Sequence, residues 1–158
     1  ALEGIPGVYF QSLLGSLNDH ERVAMTGSFR SINRHHWDYH ALVELLGDDK
    51  SHYGRVFTAM KRLISIRTGQ SAFHPNATQF TLHLGEQIFG FWRQGLNRRQ
   101  SIFCLNNISD KPAVLLLSDL NLISTHQWSD LLSGNVFDDL HATVEIAPYQ
   151  SIWLSNEK

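Results

Sequence analysis

The spacing of apolar residues changes beyond His74-Pro75-Asn76, a cluster of turn-forming residues. Upstream, a short helix is predicted over 38–46, with Asp38 as its N-cap, and a longer helix begins at Ser51. The apolar face of the longer helix follows helical spacing: Tyr53, Val56, Phe57, Met60, Leu63 and Ile64. Downstream, the period is two. One repeating pattern cannot account for both periods, so the sequence predicts two parts, residues 1–74 and 75–158.

The second part has the alternation of half-buried strands. Phe80, Leu82 and Leu84 alternate with polar residues, and the same alternation recurs over 143–146 and 151–155. The stretches between them are short and bounded by Gly, Asn, Asp or Pro. Short strands separated by turn signals are typical of antiparallel sheets. We therefore predict an antiparallel β-sandwich domain over 75–158.

The first part begins with an apolar stretch over 5–10 that reads as a strand. A strand that is apolar on both faces belongs inside a covered parallel sheet, where neighbouring strands satisfy its backbone groups. No second stretch of this type occurs before residue 75. We therefore expect residues 1–74 to be the end of a larger α/β domain with further sequence upstream. The open edges of such a strand also predict self-association through it.

Charge and cysteine content limit the classes of partner and compartment. Thirteen basic and fifteen acidic side chains give a formal charge of −2, and neither half is a polycation, so no nucleic acid partner is expected. The longest aliphatic run, 113–117, is too short to cross a membrane. Cys104 is the only cysteine, which excludes an internal disulfide and favours a reducing cytoplasm.

Polar residues cluster after the first apolar stretch, over 18–22 and 30–36. Loops that follow strands at the carboxyl edge of a parallel barrel carry the active sites of that fold. Acidic residues there could act as acids or bases, and Arg30 or Arg34 could hold an oxyanion or a vicinal diol. The alternative is a solvated, charged loop.

A metal site is the other chemistry that this region suggests. His36 and His40 are four residues apart, and His35 is adjacent. Asp38 reads as a helix cap, however, which leaves the pair on either side of a helix start, and no further ligand stands at a suitable spacing. No glycine-rich phosphate loop or dinucleotide fingerprint is present. We predict no metal and no cofactor.

Residues 4–34 contain motifs of a known family. The sequence GIPGVYF at 4–10, a Gly-x-Pro that leads to paired aromatic residues, is similar to the last barrel strand of glycoside hydrolase family 13, the α-amylase superfamily. The Gly-x-Glu that follows in amylases is replaced by QSL at 11–13. LLGSLND at 13–19 and GSFRSINR at 27–34 resemble instead the sucrose phosphorylase branch, which includes enzymes that act on glucosylglycerate or glucosylglycerol.

The resemblance continues into the second part, where 128–134 and 147–154 are similar to the closing segments of the β domain that follows the barrel. It implies that residues 1–74 hold the last strand and helices of a (β/α)8 barrel and that residues 75–158 form the C-terminal domain. It also implies a retaining phosphorylase, which transfers glucosyl from an α-glucoside to inorganic phosphate and yields α-glucose 1-phosphate.

The resemblance also assigns roles to residues of this chain. The nucleophile, the acid/base and the stabilising carboxylate are expected upstream of Ala1, so the chain alone is predicted to be inactive. In the resembling enzymes an arginine matching Arg30 binds the glucosyl 4-OH and pairs with an aspartate from an early barrel loop. Arg34 is the second candidate, with bracing of the loop as its alternative role. Asn18 and Asp19 are expected at the acceptor or phosphate entrance, with turn formation as their alternative.

A hypothesis of another class is a non-catalytic β-sandwich that binds carbohydrate or protein. Trp92, Trp128 and Trp153 could stack on sugar rings if they were exposed, whereas tryptophans on strands more often belong to a core. The burial of these three rings therefore separates the two hypotheses.

Overall fold

A computed structural model describes residues 1–120, 122 and 127–157. The chain forms two compact units. One consists of Ala1–Ile5 together with Ile66–Lys158 and is called the β unit, and the other, Pro6–Ser65, is called the helical unit. No helix among the described residues is both long and apolar enough to span a membrane.

The β unit contains eight described strands in two antiparallel sheets. They are β1 (Thr78–His83), β2 (Ile88–Gln94), β3 (Ser101–Asn107), β4 (Ala113–Leu116), β5 (Trp128–Asp130), β6 (Val136–Phe137), β7 (Thr143–Ile146) and β8 (Ser151–Ser155). The larger sheet has the order β1-β2-β3-β8-β5-β6, and β4 pairs with β7 in the smaller one. The antiparallel character predicted for the second part of the chain is confirmed.

Both faces of the larger sheet are covered, because successive residues of β3 enter different cores. Phe103 and Leu105 belong to a cluster that also takes side chains from β4 and β7 of the smaller sheet. Ile102 and Cys104 point the other way, into a second cluster with Phe73 and Trp153. The alternation of a strand thus distributes apolar side chains to two cores. A 3-10 turn at Ser71–Phe73 carries Phe73 into the second one.

The helical unit contains α1 (Phe10–Leu13), α2 (His20–Thr26), α3 (Tyr39–Gly47) and most of α4 (His52–Thr68), with a 3-10 turn at Phe29–Asn33. The predicted helix starts are confirmed by their caps. The Asp38 carboxylate accepts the Ala41 N–H at 3.0 Å, and the Ser51 hydroxyl accepts the Gly54 N–H at 2.8 Å.

The strand predicted over 5–10 is not formed in this structure. The backbone over 5–9 has no regular secondary structure, α1 begins at Phe10, and the Ile5 side chain is 86% exposed. The apolar sequence predicted burial, but burial of a strand needs neighbouring strands to pair with its backbone, and none of the described strands pairs with this stretch. Pro6 also lacks a backbone donor for such a ladder.

Candidate functional site

In the helical unit, Asp19 connects the two ends of a segment that contains Arg30. One Asp19 carboxylate oxygen accepts the backbone N–H of Arg22 at 2.8 Å, which caps α2. The other oxygen lies 2.9 Å from Nδ1 of His35. The Asp19 backbone N–H donates to the carbonyl of Ile32 at 2.7 Å. The residues over 19–35 therefore form a closed loop, which we call the Arg30 loop.

Gln11 attaches the end of the Arg30 loop to the residues around α1. Its side-chain amide donates to the carbonyl of His35 at 2.7 Å, and its carbonyl accepts the indole N–H of Trp37 at 2.9 Å and the Ser16 hydroxyl at 2.6 Å. The Tyr9 hydroxyl donates to the carbonyl of Asn33 at 3.0 Å. The Gln11 side chain thus bonds to one backbone carbonyl and two side chains, and these bonds attach the end of the loop to the residues around α1.

A cavity of about 380 Å³ opens beside the Asp19–His35 pair. Aromatic and ionisable side chains share its wall: Ser16, Leu17, Asn18, Asp19, His20, Glu21, His35, Trp37 and Tyr53. The Trp37 ring meets the His35 ring edge-on at 4.6 Å and the Tyr53 ring at 5.0 Å. An apolar ring face next to carboxylates and an imidazole is suited to a small polyol or sugar, whose hydroxyls need hydrogen-bond partners.

The environment of Asp19 keeps its carboxylate ionised. The hydrogen bond from the Arg22 backbone N–H, and then that from His35, hold the pKa of Asp19 below its ordinary value. A carboxylate with a lowered pKa is a poor proton donor at neutral pH. Both of its oxygens already accept a hydrogen bond, so Asp19 is suited to organising the loop and the cavity wall.

Arg30 and Arg34 line a second cavity, of about 370 Å³, together with Tyr9, Phe29, Ile32 and Asn33. Both arginines are exposed. No hydrogen bond or ion pair joins either guanidinium to another described residue. The structure therefore brings the predicted residues together in pairs, Arg30 with Arg34 and Asn18 with Asp19, and each pair lines a different cavity.

The sequence reasoning missed the role of His35. The sequence places His35, His36 and His40 near one another as possible metal ligands, but the three side chains have different partners. His35 bonds to Asp19, His36 accepts from Nη2 of Arg22 at 3.0 Å, and His40 contacts the Tyr39 ring. In the described part of the chain no three His, Cys, Asp or Glu side chains are grouped to hold a metal. The missed signal is an aspartate N-cap followed by a histidine 16 residues later.

The tryptophans of the β unit are structural. Trp128 and Trp153 are 1% and 7% exposed and belong to the two cores. Trp92 is half-buried, and its ring stacks with Phe80 at 4.8 Å and with Phe103 at 5.8 Å. The buried rings of Trp128 and Trp153 are not available for stacking on a sugar. The observation argues against the hypothesis of a carbohydrate-binding module built on them.

Comparison with known proteins gives relatives over nearly the whole chain, although no protein-family model matches it. A glucosylglycerate phosphorylase of Allomeiothermus silvanus is 34% identical over 154 residues, which cover 98% of this chain and 25% of the relative. A glucosylglycerate phosphorylase of Spirochaeta thermophila is 30% identical over 163 residues, with 98% and 28% covered. The chain therefore spans about a quarter of the length of the curated relatives it matches.

Solved structures with a similar fold come from carbohydrate-active enzymes. AmyP in complex with maltose has a TM-score of 0.57 at 15% identity, with 67% of this chain and 21% of that chain covered. The trehalose-6-phosphate hydrolase of Bacillus licheniformis has a TM-score of 0.54 at 18% identity, with 88% and 24% covered. At these identities the likeness concerns the fold alone.

The antiparallel β unit and the relatives together define the class: the chain is related to enzymes that process glucosides. Within that class, the resemblance to the C-terminal portion of a glycoside hydrolase family 13 enzyme of the sucrose phosphorylase branch is confirmed, because homologues named glucosylglycerate phosphorylase align with nearly all of the chain.

Proposed function

We propose that this chain is the C-terminal part of a retaining α-glucoside phosphorylase, which transfers glucosyl to inorganic phosphate and gives α-glucose 1-phosphate. The observation that carries the proposal is the alignment of 98% of the chain with a glucosylglycerate phosphorylase four times as long. Glucosylglycerate is the first donor to test, because three relatives carry that name. The acting enzyme is the longer protein, and the chain alone is inactive.

In the proposed architecture, residues 1–74 provide the last strand and helices of a (β/α)8 barrel, and residues 75–158 follow as the C-terminal domain. The exposure of Ile5, Val8 and Tyr9 supports this, because apolar residues in an extended stretch are suited to pairing with further strands. Neighbouring strands would supply the ladder hydrogen bonds that the stretch lacks here. Without those neighbours, the same stretch is the surface through which copies of the chain would associate.

In the proposed reaction a carboxylate nucleophile attacks the anomeric carbon of the donor while an acid protonates the leaving oxygen. Phosphate then displaces the carboxylate from the glucosyl-enzyme. The proposal places all three catalytic carboxylates upstream of this chain. The lowered pKa of Asp19 agrees with this placement, since a carboxylate that stays ionised at neutral pH is a poor proton donor for the leaving oxygen.

Arg30 is the residue of this chain that we assign to the donor. Its guanidinium is exposed, lines a cavity and has no partner among the described residues. A planar fork of donors can hold a carboxylate and a sugar hydroxyl in fixed geometry, which fits binding of the glucosyl 4-OH together with an aspartate from elsewhere in the barrel. Arg34 lines the same cavity and is the second candidate.

Asn18 and Asp19 are assigned to the entrance for acceptor or phosphate. They line the cavity that also contains Trp37 and Tyr53, whose rings give it an apolar wall. A glycerate or glycerol acceptor is small and polar, so it would use the Asn18 amide and the His20 ring there for hydrogen bonds. No metal or cofactor takes part in the proposed reaction, and the enzyme is assigned to the cytoplasm.

The test uses the full-length protein from the native gene, incubated with phosphate and, in turn, glucosylglycerate, sucrose and glucosylglycerol. We expect phosphate-dependent release of α-glucose 1-phosphate from at least one donor, and none from the purified chain of 158 residues. Turnover by the chain alone would overturn the placement of the catalytic carboxylates. A full-length protein that releases no glucose 1-phosphate from any of the three donors would overturn the function.

A further inference from the structure

Hydrogen bonds of Asp19 hold the base of the Arg30 loop, whereas the Arg30 side chain at its tip has no hydrogen-bond partner among the described residues. At the base, Asp19 uses three groups: the backbone N–H bonds to Ile32, one carboxylate oxygen to Arg22 N–H, and the other to His35. The Asp19 side chain is 17% exposed and that of His35 42%, so the pair is partly shielded from water. Shielding strengthens a hydrogen bond between an ionised carboxylate and an imidazole N–H.

Among the described residues, none forms a hydrogen bond or ion pair with the Arg30 guanidinium that would fix its position. Its backbone lies in the 3-10 turn Phe29–Asn33, where Ser31 N–H bonds to the carbonyl of Ser28 at 2.9 Å. The Ser31 hydroxyl, on a buried residue, is 2.8 Å from that of Thr26 at the end of α2. The backbone that carries Arg30 is therefore held by the contact between Ser31 and Thr26 within the loop and by the contacts at the two ends of the loop.

The cap of α2 alone does not close the loop. The bond between Asp19 and Arg22 N–H joins residues three apart and stays within the first turn of the helix. Three contacts join the start of the loop to its end: the bonds of Asp19 to Ile32 and to His35, and the 3.0 Å contact of Arg22 Nη2 with the ring of His36, the next residue. Of the two that Asp19 makes, the bond to His35 is made by a side chain, so it can be removed without changing the backbone.

From this geometry we infer that His35 and Asp19 form a positioning pair, which closes the base of the Arg30 loop and so places the Arg30 guanidinium for the donor. The expected effect of losing this pair on turnover rests on the proposed function. The expected effect on the structure of the loop does not. His35 acts through Asp19 and the backbone and does not touch the reacting atoms. Its removal leaves Arg30 present but misplaced.

The chain offers a matched set of variants at position 35. In His35→Asn the amide nitrogen lies near the position of the histidine Nδ1 and can still donate to Asp19. In His35→Gln the amide nitrogen lies one bond further from the backbone, and in His35→Ala there is no donor. In the full-length enzyme we expect His35→Ala to lower kcat/KM for the glucosyl donor by about tenfold to a hundredfold, as misplacement of a binding group does. We expect His35→Asn to recover most of that loss and His35→Gln to recover little.

The readout that separates positioning from a general structural defect is discrimination against a donor that lacks the 4-OH. A positioned Arg30 favours the complete glucosyl donor over its 4-deoxy analogue, and Arg30→Ala removes that preference. We expect His35→Ala to reduce the preference as well, and to have little further effect in the Arg30→Ala background. Equal losses for both donors, or losses that add fully in the double variant, would overturn the inference.

A second measurement does not depend on activity. Hydrogen–deuterium exchange of the full-length protein reports the amides over 28–34, including Ser31, whose N–H is bonded within the loop. We expect faster exchange there in His35→Ala and unchanged exchange in His35→Asn. If the wild type shows no phosphorolysis but this pattern holds, the proposed function fails and the pairing stands. If exchange over 28–34 is the same in His35→Ala as in the wild type, the pairing is overturned.

Discussion

The Asp130 carboxylate accepts the backbone N–H of Trp153 at 2.8 Å in the interior of the β unit. Asp130 is 3% exposed, and its carboxylate also accepts the N–H groups of Leu132 at 3.1 Å and Ser133 at 3.0 Å. One side chain therefore satisfies a donor of β8 and two donors of the turn that follows β5. Because Trp153 belongs to the second core, this bond connects a turn to the packing of the larger sheet.

Replacement of this carboxylate should destabilise the β unit. In Asp130→Ala three N–H groups lose their acceptor, and the burial of unsatisfied donors should lower the free energy of unfolding by about 3 kcal/mol. Asp110→Ala is the control, because Asp110 is exposed and should change stability little. Urea denaturation followed by tryptophan fluorescence measures both. Equal stability of the two variants would contradict the structural role of Asp130.

Arg93 is a second buried polar residue of the β unit, and its side chain bonds only to backbone carbonyls. It is 0% exposed and donates to Ala1 at 3.0 Å, His74 at 2.8 Å and Ala77 at 3.3 Å. Burial lowers its pKa from the ordinary value for arginine. We expect Arg93→Lys to lower the free energy of unfolding by about 2 kcal/mol, because one ammonium group cannot reproduce the geometry of the guanidinium fork.

The control for this variant is Arg99→Lys on the exposed turn between β2 and β3, where the same chemical change should leave stability within about 0.5 kcal/mol. Thermal denaturation by circular dichroism compares the two. A lysine tolerated equally at both positions would show that the fork geometry of Arg93 is dispensable.

The start of α4 depends on a close approach of backbone at Gly54. A Cβ added there would overlap the carbonyl oxygen of Asp48, whereas one added at Gly47 would meet nothing within 4 Å. We expect Gly54→Ala to destabilise the helical unit by about 1–3 kcal/mol through this overlap. Gly47→Ala should be neutral or slightly stabilising, since alanine is the better helix former. Circular dichroism in urea distinguishes these outcomes, and two variants of equal stability would contradict the close approach.

The β unit was the more predictable part of the fold, because a period of two identifies a strand from residues that are close in sequence. Phe80 and Leu82 lie in β1, and Ile152 and Leu154 in β8. The caps at Asp38 and Ser51 were also readable, since they depend on residues close in sequence. The structure of the stretch over 5–10 was not predictable. Its apolar residues indicate a preference for burial, but they do not show whether neighbouring strands are present to pair with it.

The candidate site was predictable at the level of residues but not of contacts. Arg30 and Asp19 were identified through the family resemblance, while the bond between Asp19 and His35 spans 16 residues and follows from how the loop folds back. Spacing alone suggested that His36 and His40 could share a helix face. The Asp38 cap starts α3 at Tyr39, and this separates them.

Cys104 should be unreactive in the folded protein. It is fully buried in the second core, and burial raises the pKa of its thiol to about 12. The nucleophile towards disulfide and alkylating reagents is the thiolate, whose population at neutral pH is then very small. We expect no labelling under native conditions and complete labelling in denaturant. Labelling of the native protein at the rate of the unfolded one would contradict this burial.

The titration of Asp19 should report its two hydrogen bonds. The folded-state pKa is lowered, first by the Arg22 N–H and then by His35, so the ionised carboxylate stabilises the fold above the ordinary pKa of aspartate. This contribution should be lost as the pH falls through the lowered folded-state pKa. In His35→Ala the bond to Arg22 N–H remains, so the pKa should rise only part of the way towards the ordinary value. Carbon NMR of the side-chain carboxyl group measures it in both proteins. An Asp19 pKa unchanged by loss of His35 would show that the imidazole does not bond to the carboxylate in solution, and the base of the Arg30 loop would then be closed by the Asp19–Ile32 backbone bond and the Arg22–His36 contact.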